Sequence, residues 1–369
     1  MPEQVRVLHV MWRMSIGGAE RAVFQLVREQ RRRGIEADLV VASERGFYGE
    51  EAAESGARVH LLGCRSALDV RRSLALTSLA SEYEIVHHHG IEPLLIAATS
   101  RARGPKLVYT HRGGVRGFGA KKRFRTALAR RRLRRFRALS ANTAQGARAL
   151  ANLLDTAVES IAVVYNGVDF DLLRPIRSAL DVQEELPDAA SGPLLVATAA
   201  NLQDWKRVDR LLRSVVPLVP EIHCLILGDG PARTRLESVS NALGLQQDVT
   251  FLGRKKNVGD YLQLTDIFVL PSGPQEGFGN AAVEAMSLGI PTIVFSDGGG
   301  LTEHVTDRET GRVVDSEDEL TRAMGELAAD ERMRHLLGSR GQQFVRARYS
   351  LDAMLAGYGA LYESARARS

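Results

Sequence analysis

The chain has 369 residues, 44% hydrophobic and 25% charged, a balance that suits a globular protein too long for one ordinary core, so two domains are expected. Its net charge of +5 is local, because Lys121 to Arg137 holds ten basic residues and no acidic one while the remainder is net acidic; without a binding motif this argues against a nucleic-acid coat. Cys64 and Cys224 stand far apart without metal or redox spacing, and no apolar run reaches the roughly 18 residues of a membrane span.

The N-terminus enters a strand-like run, VRVLHV (5 to 10), without the regions of a signal peptide, and a cytoplasmic protein is expected. The helical stretch after it places Ala22, Val23, Leu26, Val27 and Gln30 on one face and stops at Gly34. ADLVVAS, ARVHLL, EIVHHH, KLVYTH, ALSANT and IAVVYN continue the strand series to residue 166. A second series begins near Pro193 with LLVATAA, HCLILG, VTFLG, IFVLPS, PTIVFS and RVVD. Runs this uniformly apolar belong to parallel strands covered on both faces. Strand and helix alternating twice predict an α/β protein of two doubly wound, Rossmann-like domains, over 1–170 and 171–349. The segment 167–192, rich in proline and acidic residues, reads as their linker. Residues 349 to 365 read as a final helix with Leu351, Met354, Leu355, Tyr358 and Leu361 in one stripe.

Such sheets bind ligands beyond the carboxyl ends of their strands, and the informative residues here follow strands. With two domains, the cleft between them is the expected site. The stretch PQEGFGNAAVEAM (274 to 286) sets Glu276 before Gly277-Phe278-Gly279-Asn280 and Glu284 beyond. The glycines allow close backbone approach, Asn280 is a natural helix cap, and the N–H groups of a helix start suit a diphosphate. A carboxylate on either side then suits the hydroxyls of two sugars, Glu276 toward a transferred sugar and Glu284 toward a ribose. An ordinary loop with an acid in the first helical turn explains the same residues.

The motifs in order resemble the retaining glycosyltransferases of family 4, two-domain enzymes of the GT-B fold, along almost the whole chain. Glu276 and Glu284 match the E-x7-E signature, SIGGAE supplies Gly17, Gly18 and Glu20, and Asn166-Gly167-Val168-Asp169, GDGP (228–231) and Gly298 to Gly300 with Glu303 follow in order. The resemblance implies metal-independent transfer of a sugar from a nucleotide sugar, UDP- or GDP-linked, to a hydroxyl acceptor, with retention and no cofactor. It implies donor binding by the second domain, acceptor binding by the first, and a C-terminal helix, 350–369, that crosses back to the first. Gly17, Gly18, Arg254 and the residues from Gly277 to Asn280 are the further donor contacts expected. In the family a basic pair in G-R-L-x-x-x-K neutralises the leaving diphosphate; here Lys206 is kept but Asn201 stands at the arginine position, an amide without charge or fork. A surface lysine opening a helix is the plain alternative for Lys206. The departure keeps open a catalytically silent nucleotide-sugar-binding subunit; a sugar-nucleotide epimerase of the same fold is a second alternative, against which E-x7-E argues. His111 matches the family histidine on the acceptor side, and the catalytic set expected is His111, Glu276 and Lys206. A strand-end histidine bonded to backbone is the plain alternative for His111. Front-face attack and double displacement both remain open.

His87-His88-His89 is not read as a metal site, because consecutive strand residues alternate faces; His89 is read as structural. In the basic segment Arg123, Arg130, Arg134 and Arg137 share a helical face, with Phe124, Leu128 and Leu139 opposite. Such a helix suits either an anionic membrane, reached from the cytoplasm at the inner face of the plasma membrane and fitting a lipid-linked glycan acceptor, or an anionic soluble acceptor. A solvated helix face is the plain alternative.

Overall fold

The structure, a computed structural model, describes residues 5–67, 69–113, 130–186 and 192–367. The chain divides into two compact units, Met1–Gly167 with Leu351–Ser369, and Val168–Ser350. In the first, parallel strands run in the order β3-β2-β1-β4-β5-β6-β7. They are β1 (Arg6–Arg13), β2 (Glu36–Glu44), β3 (Val59–Leu61), β4 (Ile85–His88), β5 (Lys106–His111), β6 (Ala138–Ala141) and β7 (Ile161–Val163). Each predicted run forms a strand, and β1 extends past its apolar stretch because β2 pairs with it as far as Arg13. Helix Gly18–Arg32 buries the face its periodicity predicts, and the chain turns at Gly34 with φ +78, a left-handed value that glycine adopts freely. The final helix, Leu351–Ala367, belongs to this unit: Met354, Leu355, Tyr358 and Leu361 pack with Val7, Leu26, Ile85, Val108, Ala138 and Val164.

The second unit has six parallel strands in the order β10-β9-β8-β11-β12-β13. They are β8 (Leu194–Ala199), β9 (Ile222–Leu227), β10 (Val249–Gly253), β11 (Ile267–Leu270), β12 (Thr292–Phe295) and β13 (Arg312–Val314). Winding reverses between β8 and β11, and loops leaving a sheet at such a point diverge and open a crevice. The expected linker is largely part of this unit. Leu173, Val182 and Leu186 are buried, the Asp260 carboxylate accepts from the Ile176 and Arg177 N–H groups at 2.6 and 3.1 Å, and Tyr261 donates to Glu185 at 2.8 Å. Both cysteines are buried, and burial pushes the Cys224 thiol up to about 12, so it is an inert core residue. No helix among the described residues is long and apolar enough to cross a membrane.

Helix Glu331–Arg348 supports helix Asn280–Ser287: Gln342 and Arg346 donate to the Ser287 carbonyl at 2.9 and 3.1 Å. A Cβ on Gly338 would stand 1.9 Å from the Gly289 carbonyl oxygen. Gly338→Ala is therefore expected to destabilise the second unit by about 1 to 3 kcal/mol, overpacking outweighing what alanine gains in helix propensity. Urea unfolding measures this, and an unchanged midpoint would show that the two helices slide apart at no cost.

Candidate active site

Loops beyond β8, β11 and β12 meet on both sides of the switch point. The Gly273 N–H donates to the Trp205 carbonyl at 2.9 Å and the Gly300 N–H to the Glu276 carbonyl at 3.3 Å, which ties the loop after β11 to the other two. At this junction Lys206 Nζ lies 2.5 Å from Glu276 Oε2, with the two side chains only 13% and 8% exposed. Lys206 closes the short turn Asp204–Lys206, and its ammonium sits 4.4 Å from the centre of the Trp205 ring, where the electron-rich face favours a cation. Arg207 follows with φ 49 and ψ 36, a backbone conformation that costs a residue with a Cβ about 1 kcal/mol or more, and opens helix Val208–Val215.

Helix Asn280–Ser287 is capped by Gly279 rather than by Asn280. Gly279 has φ +73, where a side chain is strained, and a Cβ there would also push Leu301 Cδ2 aside from 2.1 Å, so glycine is favoured. Asn280 becomes the first helical residue, and Glu284, 5% exposed, falls in the second turn instead of the first. The Phe278 ring is turned into the core, 4.5 Å from the His304 ring and 5.2 Å from Tyr349, while its carbonyl accepts from His304 Nε2 at 2.7 Å. A ligand would meet the Phe278 backbone and not its side chain.

Lys206, Glu276, Gly277, Gly279, Asn280 and Glu284 thus belong to one group of loops and the helix start they carry. Asn201 lies exposed at the head of the β8 loop, and the GDGP loop packs on it: a Cβ on Gly230 would come within 2.5 Å of the Leu202 carbonyl. Arg254 is exposed beyond β10, the edge strand. Gly17 and Gly18 are in the first unit, where Gly17 caps helix Gly18–Arg32 and Glu20 folds back over it. Burial raises the carboxyl pKa of Glu20.

His111 ends β5, its Nδ1 3.2 Å from the Tyr109 hydroxyl and its carbonyl accepting from the Asn142 N–H at 3.0 Å. His88 faces away to Thr99, whereas His87 and His89 join His9, which the register of β1 and β4 places level with His87. Nitrogens of these three lie within 4.8 Å of one another, the spacing of a metal site. Their donor set fits a neutral network better than a cation, since hydrogen bonds already engage the nitrogens and the Arg112 guanidinium donates to His89 at 3.0 Å. The sequence offered its histidines as signs of this network, His9 inside the apolar run of β1 and the run His87 to His89 at the end of β4; Arg112, Tyr358 and Tyr362 gave none.

The basic face is built differently from expectation. Arg123 lies outside the described residues, and the helical residues before β6 end at 133, because Leu133 and Phe136 turn into the core and Leu139 is already in β6. Arg134 Nε donates to the Leu154 carbonyl at 2.8 Å, closing the end of helix Ala144–Leu154, and Arg130 and Arg134 lie 3.6 and 3.5 Å from Asp155. The Arg137 N–H pairs with the Leu107 carbonyl, so its side chain is not on that helix.

Burial lowers His9 to about 4 and His87 and His89 well below their ordinary value, and lowers His304 of the second unit to about 4. With folded pKa values below the unfolded value of about 6.5, the unfolded chain takes up protons first as pH falls. The contribution is complete above about 6.5 and is lost from there toward about 4. The urea midpoint is therefore expected to fall between about pH 7.5 and about pH 5, and equal midpoints would contradict burial of neutral histidines.

Residues 183–344 match the model of the glycosyl transferases group 1, and residues 16–172 that of glycosyltransferase family 4. EpsF of Bacillus subtilis (strain 168) is 28% identical over 304 residues, 79% of each chain. The lipopolysaccharide core biosynthesis mannosyltransferase LpcC of Rhizobium leguminosarum is 30% identical over 214 residues, 55% of this chain and 59% of LpcC. Among solved structures, Anabaena HepE in complex with UDP superposes with a TM-score of 0.86 at 20% identity, over 98% of this chain and 100% of HepE. Two doubly wound parallel sheets, loops gathered at a switch point, and two family models that between them span nearly the whole chain agree: this protein belongs to the GT-B glycosyltransferases of the family 4 type.

Proposed function

We propose that this glycosyltransferase moves a sugar from a UDP- or GDP-sugar to a hydroxyl of a glycan or lipid-linked glycan, with retention and without a metal ion. The observation that carries the reading is the Lys206–Glu276 pair at 2.5 Å beside the glycine-rich loops. Each group satisfies the other, so neither is a lone buried charge. Donor binding exchanges that bond for two others: the ammonium meets the diphosphate and the carboxylate accepts from hydroxyls of the sugar. Charge on the diphosphate grows as it leaves, and an ammonium fixed there stabilises that charge most in the transition state. Glu284 accepts from the ribose diol, N–H groups of the helix start face the diphosphate, and His111 serves the acceptor side. Glu276, committed to hydroxyls, is not the nucleophile; attack comes from the face of the leaving group, whose phosphate takes the acceptor proton.

Support for the donor class comes from HepE, seen with UDP and with UDP-glucose, and for a glycan acceptor from LpcC, a lipopolysaccharide core enzyme by name. Calorimetric titration with UDP and GDP in EDTA tests the donor site. One nucleotide is expected to bind, and Glu284→Gln to weaken it by about 1.5 to 3 kcal/mol, the value of a hydrogen bond to a charged group. Lys206→Met is expected to lower kcat by about 100-fold or more in a chain that still folds. Binding that needs added magnesium, or that ignores Glu284→Gln, would overturn the metal-free reading or the ribose role respectively.

Polysaccharide synthesis at the cytoplasmic face of the membrane completes the reading, with the basic segment resting on anionic lipid. Arg134 is unsuitable for testing this, because it closes a helix end. Arg130→Glu with Arg137→Glu is expected to abolish cosedimentation with phosphatidylglycerol vesicles; undiminished cosedimentation would remove these arginines from the membrane contact.

A further inference from the structure

A polar chain crosses the core of the first unit, and it has a direction. Arginine can only donate hydrogen bonds. Arg112 Nε lies 3.0 Å from His89 Nδ1, so that nitrogen accepts and His89 carries its proton on Nε2. His89 Nε2 is 2.9 Å from His9 Nδ1, which must accept in turn, leaving the His9 proton on Nε2, 2.7 Å from Gln30 Oε1. The Gln30 amide nitrogen then donates to the Tyr362 hydroxyl at 3.3 Å, and that hydroxyl lies 2.9 Å from His87 Nδ1. His87 Nε2 is 2.6 Å from Thr110 Oγ1, and the Thr110 and Ser140 hydroxyls share a bond of 2.7 Å. His89 and His9 are thus each held neutral in one tautomer, and that choice starts at Arg112.

The other arms of the guanidinium reach the two passages of the chain into and out of this unit. One nitrogen is 2.8 Å from Asn166 Oδ1, one residue before the chain leaves at Gly167, and the other is 2.8 Å from the hydroxyl of Tyr358, on the helix by which it returns. Arg112 is also the residue after His111. We propose that Arg112 is a positioning residue for sugar transfer: its planar fork, held at once by His89, Asn166 and Tyr358, fixes the end of β5 that carries His111. The proposal rests on the acceptor-side role given to His111 above. A lysine would keep the charge, but a single ammonium cannot hold three acceptors spread around one plane.

Two measurements on Arg112→Met, Arg112→Lys and Tyr358→Phe test this, with urea unfolding to confirm that each chain folds. Imidazole 15N spectra of labelled protein report tautomers independently of activity. Wild type is expected to show His89 and His9 protonated on Nε2, and Arg112→Met to show mixed or reversed tautomers. In transfer assays Arg112→Met is expected to lower kcat about 100-fold and Tyr358→Phe about 10-fold, with donor KM unchanged and little recovery in Arg112→Lys, because misplacing a reacting group by about 1 Å costs rates of this order. Should the methionine variant be too unstable, Tyr358→Phe removes one arm and reads the same split between kcat and KM. Wild-type tautomers in Arg112→Met, zinc held by the three histidines, or altered tautomers with unchanged kcat would each overturn the proposal. If His111→Ala keeps wild-type kcat while Arg112→Met loses it, the reading of His111 fails and the arginine still positions the end of β5.

Discussion

An ammonium and a carboxylate 2.5 Å apart, both largely out of water, are tolerable only together. Losing one would strand the other at a cost of about 3 to 5 kcal/mol. The rest of the second unit is arranged so that the pair can exist. Lys206 and Glu276 are 70 residues apart in the chain and meet because β8 and β11 are neighbours, with Val196 level with Ile267 and Ala197 with Phe268. Past the strand ends, the bond from the Gly273 N–H to Trp205 and the left-handed Arg207 fix the course of each loop. Sheet register therefore sets the ion pair, and with it the place where a diphosphate and a sugar would find opposite charges side by side.

The first unit meets the same problem of buried polar groups by removing charge. Burial drives His9, His87 and His89 to the neutral form, and alternating donors and acceptors satisfy them without a carboxylate in the sequence of bonds. The cation of this network, Arg112, faces neutral acceptors and the ring of Tyr358, 5.8 Å from the centroid. Two sheets of one architecture thus use opposite electrostatic solutions. A cation bonded only to neutral acceptors stays put when an anionic ligand arrives elsewhere, whereas the lysine of an ion pair can change partner.

Strands were legible because a parallel strand covered on both faces must be apolar at nearly every position. The stripe of the last helix was legible for a similar reason, one face against a core. The segment from 168 to 186 was not, because four buried side chains, Val168, Leu173, Val182 and Leu186, are too sparse to show a period, yet they suffice with the bonds to Asp260 to dock it. Gly279 displaced Asn280 as the cap because the chain enters the helix through a left-handed residue, φ +73, which glycine adopts freely. The histidine network was hidden for a further reason: it depends on which residue of β1 stands beside which residue of β4, and no local pattern encodes register between strands some 80 residues apart.

Asn201 is the remaining departure from the motif, and its neighbours indicate how the proposed chemistry can absorb it. The family pattern would set two cations before the diphosphate. Arg210 cannot be the second, because two bonds at 2.7 and 2.8 Å commit it to Asp297 while the Phe295 ring, 4.4 Å away, holds it from the side. Arg207 is held more loosely, 3.5 Å from Asp209, which also binds Arg213. It directly follows Lys206, and its left-handed backbone departs from the helical path that would otherwise carry its side chain around the next turn. A strained arginine with a shared partner can turn to a new anion at lower cost than one locked in a bidentate pair. Of the two arginines, Arg207 is thus the freer to supply, in the proposed reaction, the charge missing at 201.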